Sequence, residues 1–313
     1  MNFVITGANG FIGSYLTRFL LRRGHQVTAI DLRFHPDIGR QLYGAVFLEH
    51  DVCDPALGSL SVTADAFIHL ATSNDIVSKN ITDGVGLSVI GTVNTLGLAA
   101  RNGIDRYVFF STLQVYGTEL SGDYCESSPV QPENDYAMNH LFGEMYAEMF
   151  SRKTNLRVLA VRPSNIYGPF VSWEIQRWTL VPGCFCKEAV KYGTITLLSS
   201  GKQYRNFISL EAVCAAVEAA VPHMTERYDV LNLVSNEYLR IIDAAGVVAE
   251  VMKKDFGRDT EIIVKSDLPI EGNVFRVSQE ALRRYGIEAN SAVGTDLRTG
   301  IRTVCKMLLM VGE

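Results

Sequence analysis

Short apolar runs alternate with stretches of helical period through the first half of the chain. FVITG at 3–7 reads as a strand and residues 10–23 as a helix. QVTAID at 26–31 is a second strand. AVFLEHD (45–51), AFIHLA (66–71), RYVFFS (106–111) and RVLAVRP (157–163) follow, most of them separated by helix-length segments. Such spacing predicts right-handed βαβ units and a parallel sheet covered on both faces. Residues 85–102 are rich in small side chains and read as a packed helix. No repeat, low-complexity tract or linker interrupts the pattern. After about Arg162 it turns irregular, broken by Pro163, Pro169, Pro182 and several glycines. Short strands at 194–199, 230–235 and 261–266 and helices at 209–221, 240–254 and 278–285 are expected there. The expected fold is α/β: a doubly wound parallel sheet in a first lobe, 1–165, with segments near 200–235 returning to it. Residues 166–313 form mainly a smaller mixed α/β lobe.

Composition narrows the class without changing the fold. Hydrophobic residues make up 47% and charged residues 20% of the 313, which excludes disorder. Net charge is −5 and no long basic run occurs, so nucleic acid is not an expected partner. No apolar stretch reaches the ~20 residues that span a bilayer, and no membrane association is expected. The opening run MNFVITGANG goes straight into a strand, so no leader is expected. Cys53, Cys125, Cys184, Cys186, Cys214 and Cys305 lack paired ligand spacing. They read as reduced thiols of a cytoplasmic protein, with no metal.

The candidate chemistry begins at TGANGFIG, 6–13. Gly7, Gly10 and Gly13 lie between a strand and a helix. There glycines permit a tight turn and a close backbone approach to a pyrophosphate, and the helix N-terminus offers N–H groups and a positive dipole end. Such a turn also occurs without a ligand, but here an acid, Asp31, ends the second strand. A carboxylate at this position accepts from adenosine ribose hydroxyls and repels a 2′-phosphate, which favours NAD over NADP. Asp51, ending the next strand, faces an adenine amino group in one reading and caps a turn in the other.

These residues, with HLAT at 69–72, GTVNTL at 91–96, STLQVYG at 111–117, YAMNH at 136–140, RPSNIYGP at 162–169 and RNFISLEAV at 205–213, resemble the extended short-chain dehydrogenase/reductases that act on nucleotide sugars. The resemblance runs over nearly the whole chain. It implies a Rossmann lobe holding NAD, a C-terminal lobe for a UDP-, dTDP-, CDP- or GDP-hexose, and a homodimer formed through helices near 80–102 and 136–152. Carried over by position, Asn9, Phe11, Ile12, Leu32, Val52, Leu70, Ala71, Thr72 and Pro163 join the three glycines, Asp31 and Asp51 around the cofactor. Tyr136 is the implied acid/base at a sugar hydroxyl, and Thr112 bonds the same oxygen. His140 is the implied cofactor neighbour of Tyr136. Asn94 is an implied structural residue. Asn165, Arg205 and, more loosely, Arg276 are implied contacts of the sugar-nucleotide phosphates. Surface ion pairing is the plainer role for the two arginines. Trp173 and Trp178 read equally as cleft wall or as core.

Two departures from the family pattern carry information. His140 stands where the family has a lysine that bonds the cofactor ribose and acidifies the tyrosine. Ionising a phenol at neutral pH takes a shift of about three units from ~10, or about 4 kcal/mol. A cation about 4 Å away supplies about that much at an effective dielectric of ~20, and a neutral imidazole supplies none. The second departure is Leu113 and Gln114 after Thr112, where the family's 4,6-dehydratases place acidic residues; Cys125 and Glu126 are the substitutes to examine. The expected reaction is therefore NAD-dependent epimerisation of a nucleotide sugar at C4. A 4-ketosugar reductase, an atypical dehydratase and a non-catalytic nucleotide-binding protein are the alternatives.

Overall fold

The computed structural model describes residues 1–175, 177–265, 272–287 and 296–311. The first half follows the alternation of strand and helix: β1 (Asn2–Thr6), α1 (Phe11–Arg22), β2 (Gln26–Asp31), α2 (Pro36–Gln41), β3 (Val46–Glu49) and β4 (Ala66–His69). Then come α3 (Ile81–Val85), α4 (Gly91–Arg101), β5 (Arg106–Phe110), β6 (Gly122–Tyr124), α5 (Asp135–Lys153), β7 (Arg157–Pro163) and β8 (Asn165–Tyr167). The second half holds α6 (Gly183–Tyr192), β9 (Thr194–Leu197), β10 (Tyr204–Ser209), α7 (Leu210–Ala220), β11 (Tyr228–Leu233), β12 (Tyr238–Arg240), α8 (Ile241–Phe256), β13 (Glu261–Val264), β14 (Phe275–Val277) and α9 (Leu297–Val311).

Seven parallel strands form one sheet in the order β11-β7-β5-β4-β1-β2-β3. Strand residues alternate between two cores, as a period of two demands. Phe3, Ile5, Ile68 and Val108 face α1 and α7 in one core. Val4, Phe67, Tyr107 and Phe109 face α4 and α5 in the other. Both faces are thus covered, which is why the strands read as uninterrupted apolar runs. The strand order reverses between β1 and β4, and in open α/β sheets the crevice beyond that reversal is where ligands bind. This is the expected doubly wound sheet.

The smaller lobe is built from β8-β10-β12, the pair β9-β13 and helices α6, α8 and α9 around a third core. Of the segments near 200–235, α7 and β11 pack with the large sheet, whereas β10 pairs with β8 and β12. Two expected helices differ in extent or type. The helix expected over 85–102 begins at Ile81, capped by the Asn80 side chain, and passes through a wider turn at Gly86–Ile90 before α4. The helix expected at 278–285 is a tighter 3₁₀ segment, Glu280–Tyr285. Helices α6 and α9 were not among the expected elements. The last residue of the strand expected at 261–266 lies outside the described residues. Among the described residues no helix is long and apolar enough to cross a membrane.

Two glycines decide where the site sits. A Cβ on Gly13 would lie 2.1 Å from the Gly7 carbonyl oxygen, so α1 reaches the β1 exit only without a side chain there. A Cβ on Gly143 would lie 2.3 Å from the Phe109 ring, so that glycine lets α5 press against the sheet. By contrast, nothing lies within 4 Å of a Cβ on Gly246 in α8. Gly13→Ala is expected to destabilise the fold by about 3 kcal/mol through overpacking. Gly246→Ala is expected to stabilise it by about 0.5–1 kcal/mol. Urea midpoints of the two variants check this pair of opposite signs.

Candidate active site

A cavity of about 500 Å³ opens at the strand reversal. Its floor is the β1–α1 turn. Gly7 has φ +72, and a Cβ there would lie 2.7 Å from the Leu70 carbonyl carbon, so the β1 and β4 exits touch backbone to backbone. Gly10 precedes α1 without a side-chain cap, leaving first-turn N–H groups facing the cavity floor. Asp31 ends β2 and accepts the amide N–H groups of Asn9 and Leu32, both at 2.8 Å. Burial pushes its carboxyl pKa up, and these amides pull it back. With the Arg33 amide also directed at it, the carboxylate keeps room for one further donor, such as a hydroxyl. A glycine cradle closed to any side chain and a strand-end acid beside it fit a dinucleotide.

The other end carries the chemistry. Thr112 follows β5 and caps the turn Leu113–Tyr116, its Oγ1 accepting the Gln114 N–H at 3.2 Å. Asn134 caps α5 and starts the helix one residue before Tyr136 enters it. Thr112 and the Tyr136 phenol line the same end of the cavity. Burial raises the phenol pKa, while Thr112 and the charge of Arg177 lower it and Asp75 raises it. His140, one turn along α5, sits edge-on to Tyr136 with ring centroids 4.6 Å apart. Its Nδ1 lies 3.1 Å from the Phe110 carbonyl, which can only accept, so Nδ1 carries a proton. Burial lowers the His140 pKa to about 4, against the favourable pull of the Phe110 and Ser73 carbonyls. The imidazole is neutral at neutral pH and gives Tyr136 no fixed charge.

The remaining predicted residues separate by position. Gly7, Asn9, Gly10, Phe11, Ile12, Gly13, Leu70, Thr72, Thr112, Tyr136, His140, Pro163, Asn165 and Arg205 all line this one cavity. Asp31, Leu32, Asp51, Val52, Ala71 and Arg276 lie outside its lining. Asp51 accepts the Cys53 N–H at 2.8 Å, an ordinary turn cap. Val52 is buried in the second core, and its carbonyl accepts the Asn94 side chain at 2.9 Å. Asn165 donates to the Asn206 carbonyl at 2.9 Å. Arg276 is exposed on β14. Trp173 and Trp178 stack at 6.4 Å, with Trp178 packed against Phe170 and the first core. Glu126 accepts the Asn232 N–H at 3.0 Å, and the Cys125 carbonyl accepts the Tyr116 hydroxyl. Neither Cys125 nor Glu126 lines the cavity.

Sequence reasoning missed His35, Asn74, Glu174 and Arg177, which also line it. Arg177 bonds Asp75 at 2.7 Å, and His35 faces Glu174 at 3.6 Å. Only the irregular, tryptophan-bearing stretch after Gly168 marked this segment in the sequence.

The family follows from these features and from comparison. Residues 3–233 match the NAD dependent epimerase/dehydratase family, and the chain belongs to it. A dTDP-glucose 4,6-dehydratase from Streptomyces niveus is 30% identical over 236 residues, which cover 70% of this chain and 68% of that one. The structure of an NAD dependent NDP-hexosamine 5,6-dehydratase, TunA, involved in tunicamycin biosynthesis, is 26% identical. It has a TM-score of 0.80, over 97% of this chain and 96% of that one. The UDP-glucuronic acid 4-epimerase from Bacillus cereus, in complex with UDP-glucuronic acid and NAD, shares the fold at a TM-score of 0.83. It has 21% identity over 99% of this chain and 100% of that one.

The histidine yields a stability prediction. The folded pKa of His140 is depressed, so the unfolded chain binds its proton first as pH falls from ~6.5. Stability from this group is therefore full above that pH and is lost down to about 4. Between about pH 7 and about pH 5 the loss is about 2 kcal/mol. His140→Asn, which keeps a donor for Phe110, is expected to flatten that part of the urea stability–pH curve.

Proposed function

We propose that this protein is an NAD-dependent epimerase acting at C4 of a nucleotide-activated hexose. The observation that carries the reading is the reaction end of the cavity. It pairs Tyr136 with Thr112, and the turn that follows offers Leu113 and Gln114 rather than acids. Among the described lining residues the one carboxylate is Glu174, which lies in the segment after β8, 3.6 Å from His35, and not in the turn after Thr112. Elimination across C5 and C6 needs an acid and a base beside the sugar. Epimerisation at one carbon needs only a hydroxyl proton exchanged and a hydride removed and returned. Tyr136 exchanges that proton, and Thr112 holds the sugar oxygen in line with it. NAD, when bound in the glycine cradle, supplies the hydride acceptor and gives the hydride back. Asp31 selects it over NADP by accepting ribose hydroxyls and repelling a 2′-phosphate. Arg205, whose guanidinium lines the cavity and is bonded to the Tyr204 carbonyl, and Asn165 receive the substrate diphosphate.

A second reading, a 4-ketosugar reductase, draws on the raised pKa of Tyr136, because a protonated phenol is a proton donor. Incubation with UDP-hexoses and NAD⁺ separates the two. The epimerase interconverts C4 epimers without net NADH, whereas the reductase consumes one NADH per 4-ketosugar. Tyr136→Phe is expected to lower turnover by about 10²–10⁴, with nucleotide affinity in titration calorimetry unchanged.

The homodimer belongs to the same reading. Met138, Phe142, Met145 and Tyr146 are exposed along α5, and Ile81 and Ile90 on the helix packed beside it. Large apolar side chains aligned on two adjacent helices form a patch of the kind that covers itself by association. Light scattering is expected to give twice the chain mass, and Phe142→Asp with Met145→Asp is expected to give the chain mass.

A further inference from the structure

The ion pair between Arg177 and Asp75 has no part in the reading above. Asp75 lies in the loop after β4 and Arg177 in the segment between β8 and α6, so their 2.7 Å contact joins the two lobes at the cavity. His35 and Glu174 cross the same gap beside it at 3.6 Å. The Arg177 side chain is 19% exposed and lines the cavity with Tyr136 and Thr112, whereas Asp75 is 47% exposed and lies behind it.

Among the described residues, the His140 ring stands edge-on to Tyr136 from its own helix, Thr112 from the end of β5 and Arg177 from the segment before α6 line the same cavity, and the charges of Arg177 and of Asp75 in the loop after β4 act on the phenol. Thr112 is uncharged, and His140 is a neutral Nδ1–H imidazole held by the Phe110 carbonyl. Arg205, the other arginine of the cavity, is turned toward the Tyr204 carbonyl and the field of Glu119. Among the described lining residues that leaves Arg177 as the permanent cation sharing the cavity with the phenol, and a carboxylate on the opposite lobe holds its guanidinium.

We propose that Arg177, held by Asp75, is the positioning residue that sets the acidity of the Tyr136 phenol in place of a cation at position 140. The inference rests on the reading of Tyr136 as the acid/base. It makes that acidity depend on the segment that carries Arg177 being seated against the loop after β4. Arg177 takes no proton and touches no reacting atom in this scheme. It acts only through the charge it presents.

The test places 3,5-difluorotyrosine at position 136 of the full chain, which brings the phenol titration near neutral pH, and follows it by ¹⁹F NMR. Arg177→Gln is expected to raise the apparent pKa by about half a unit or more. Arg177→Lys is expected to restore it, and Asp75→Asn, which removes the opposing charge, to lower it. In unlabelled protein the basic limb of kcat/KM should move in the same directions. No movement of the titration in Arg177→Gln overturns the proposal. So does a raised KM for a UDP-hexose with the titration unchanged, which would make Arg177 a phosphate contact. Full turnover in Tyr136→Phe would instead remove the acid/base reading, and the ¹⁹F titration would still decide whether Arg177 acts on the phenol.

Discussion

The buried ion pair between Glu144 and Arg162 holds the reaction end together. Two charges taken out of water cost several kcal/mol each, and only good geometry with further hydrogen bonds offsets this. Glu144 accepts from Arg162 through Nε at 2.9 Å and Nη2 at 2.5 Å, and from the Ser111 hydroxyl. Arg162 Nη1 donates to the Tyr116 hydroxyl at 2.7 Å, which reaches Asn232 on β11 at 3.0 Å. One network therefore ties α5, the end of β5, β7 and β11. Removing either charge strands the other in the interior, at about 3–5 kcal/mol. The helix that carries Tyr136 and the residue next to Thr112 are fixed by the same atoms.

Much of this was legible in the sequence because it rests on local rules. Uninterrupted apolar runs mark strands covered on two sides, and the glycines of 7–13 mark a place where backbone must meet backbone. Tyr136 and Thr112 share a cavity because the order of the strands carries them there. The rest depends on partners far apart in sequence. Arg177 finds Asp75 across 102 positions, from a stretch with no period to read. Helix α9 does have a helical period, with Leu297, Ile301, Val304 and Cys305 buried in the third core. It follows no strand pattern that would have announced it. Asp51 fits the positional rule for an adenine contact and also caps a turn two residues long through one of its oxygens, a second role its position in the sequence does not separate from the first.

The electrostatics of the site are set by exclusion of water more than by any single charge. Burial moves Tyr136, His140 and the neighbouring His69 toward their neutral forms, the last to about 3. Thr6 and Thr92 bracket the His69 ring at 2.7 and 3.1 Å. The Thr92 proton goes to the Ser88 carbonyl at 2.5 Å, so His69 donates to Thr92 and accepts from Thr6. A wall of neutral, hydrogen-bonded groups is a low-dielectric setting, in which the charges that do remain act over longer distances.

The edge strand β11 gives the chain a particular order of assembly. Its partner β7 leaves the ribosome long before it, and between the two come β8, α6, β9 and β10 of the smaller lobe and then α7. Asn232, the far end of the network around Glu144, arrives with β11. A nascent chain that has made everything through β7 thus holds a sheet with one open edge and a buried carboxylate–guanidinium pair not yet fully enclosed. The open edge must stay unpaired with other chains while the intervening segment folds, since unpaired strand edges invite aggregation. Neither lobe corresponds to a contiguous piece of the polypeptide: the large lobe is completed after β8, α6, β9 and β10 of the small one have been made, and β12, α8, β13 and α9 still follow.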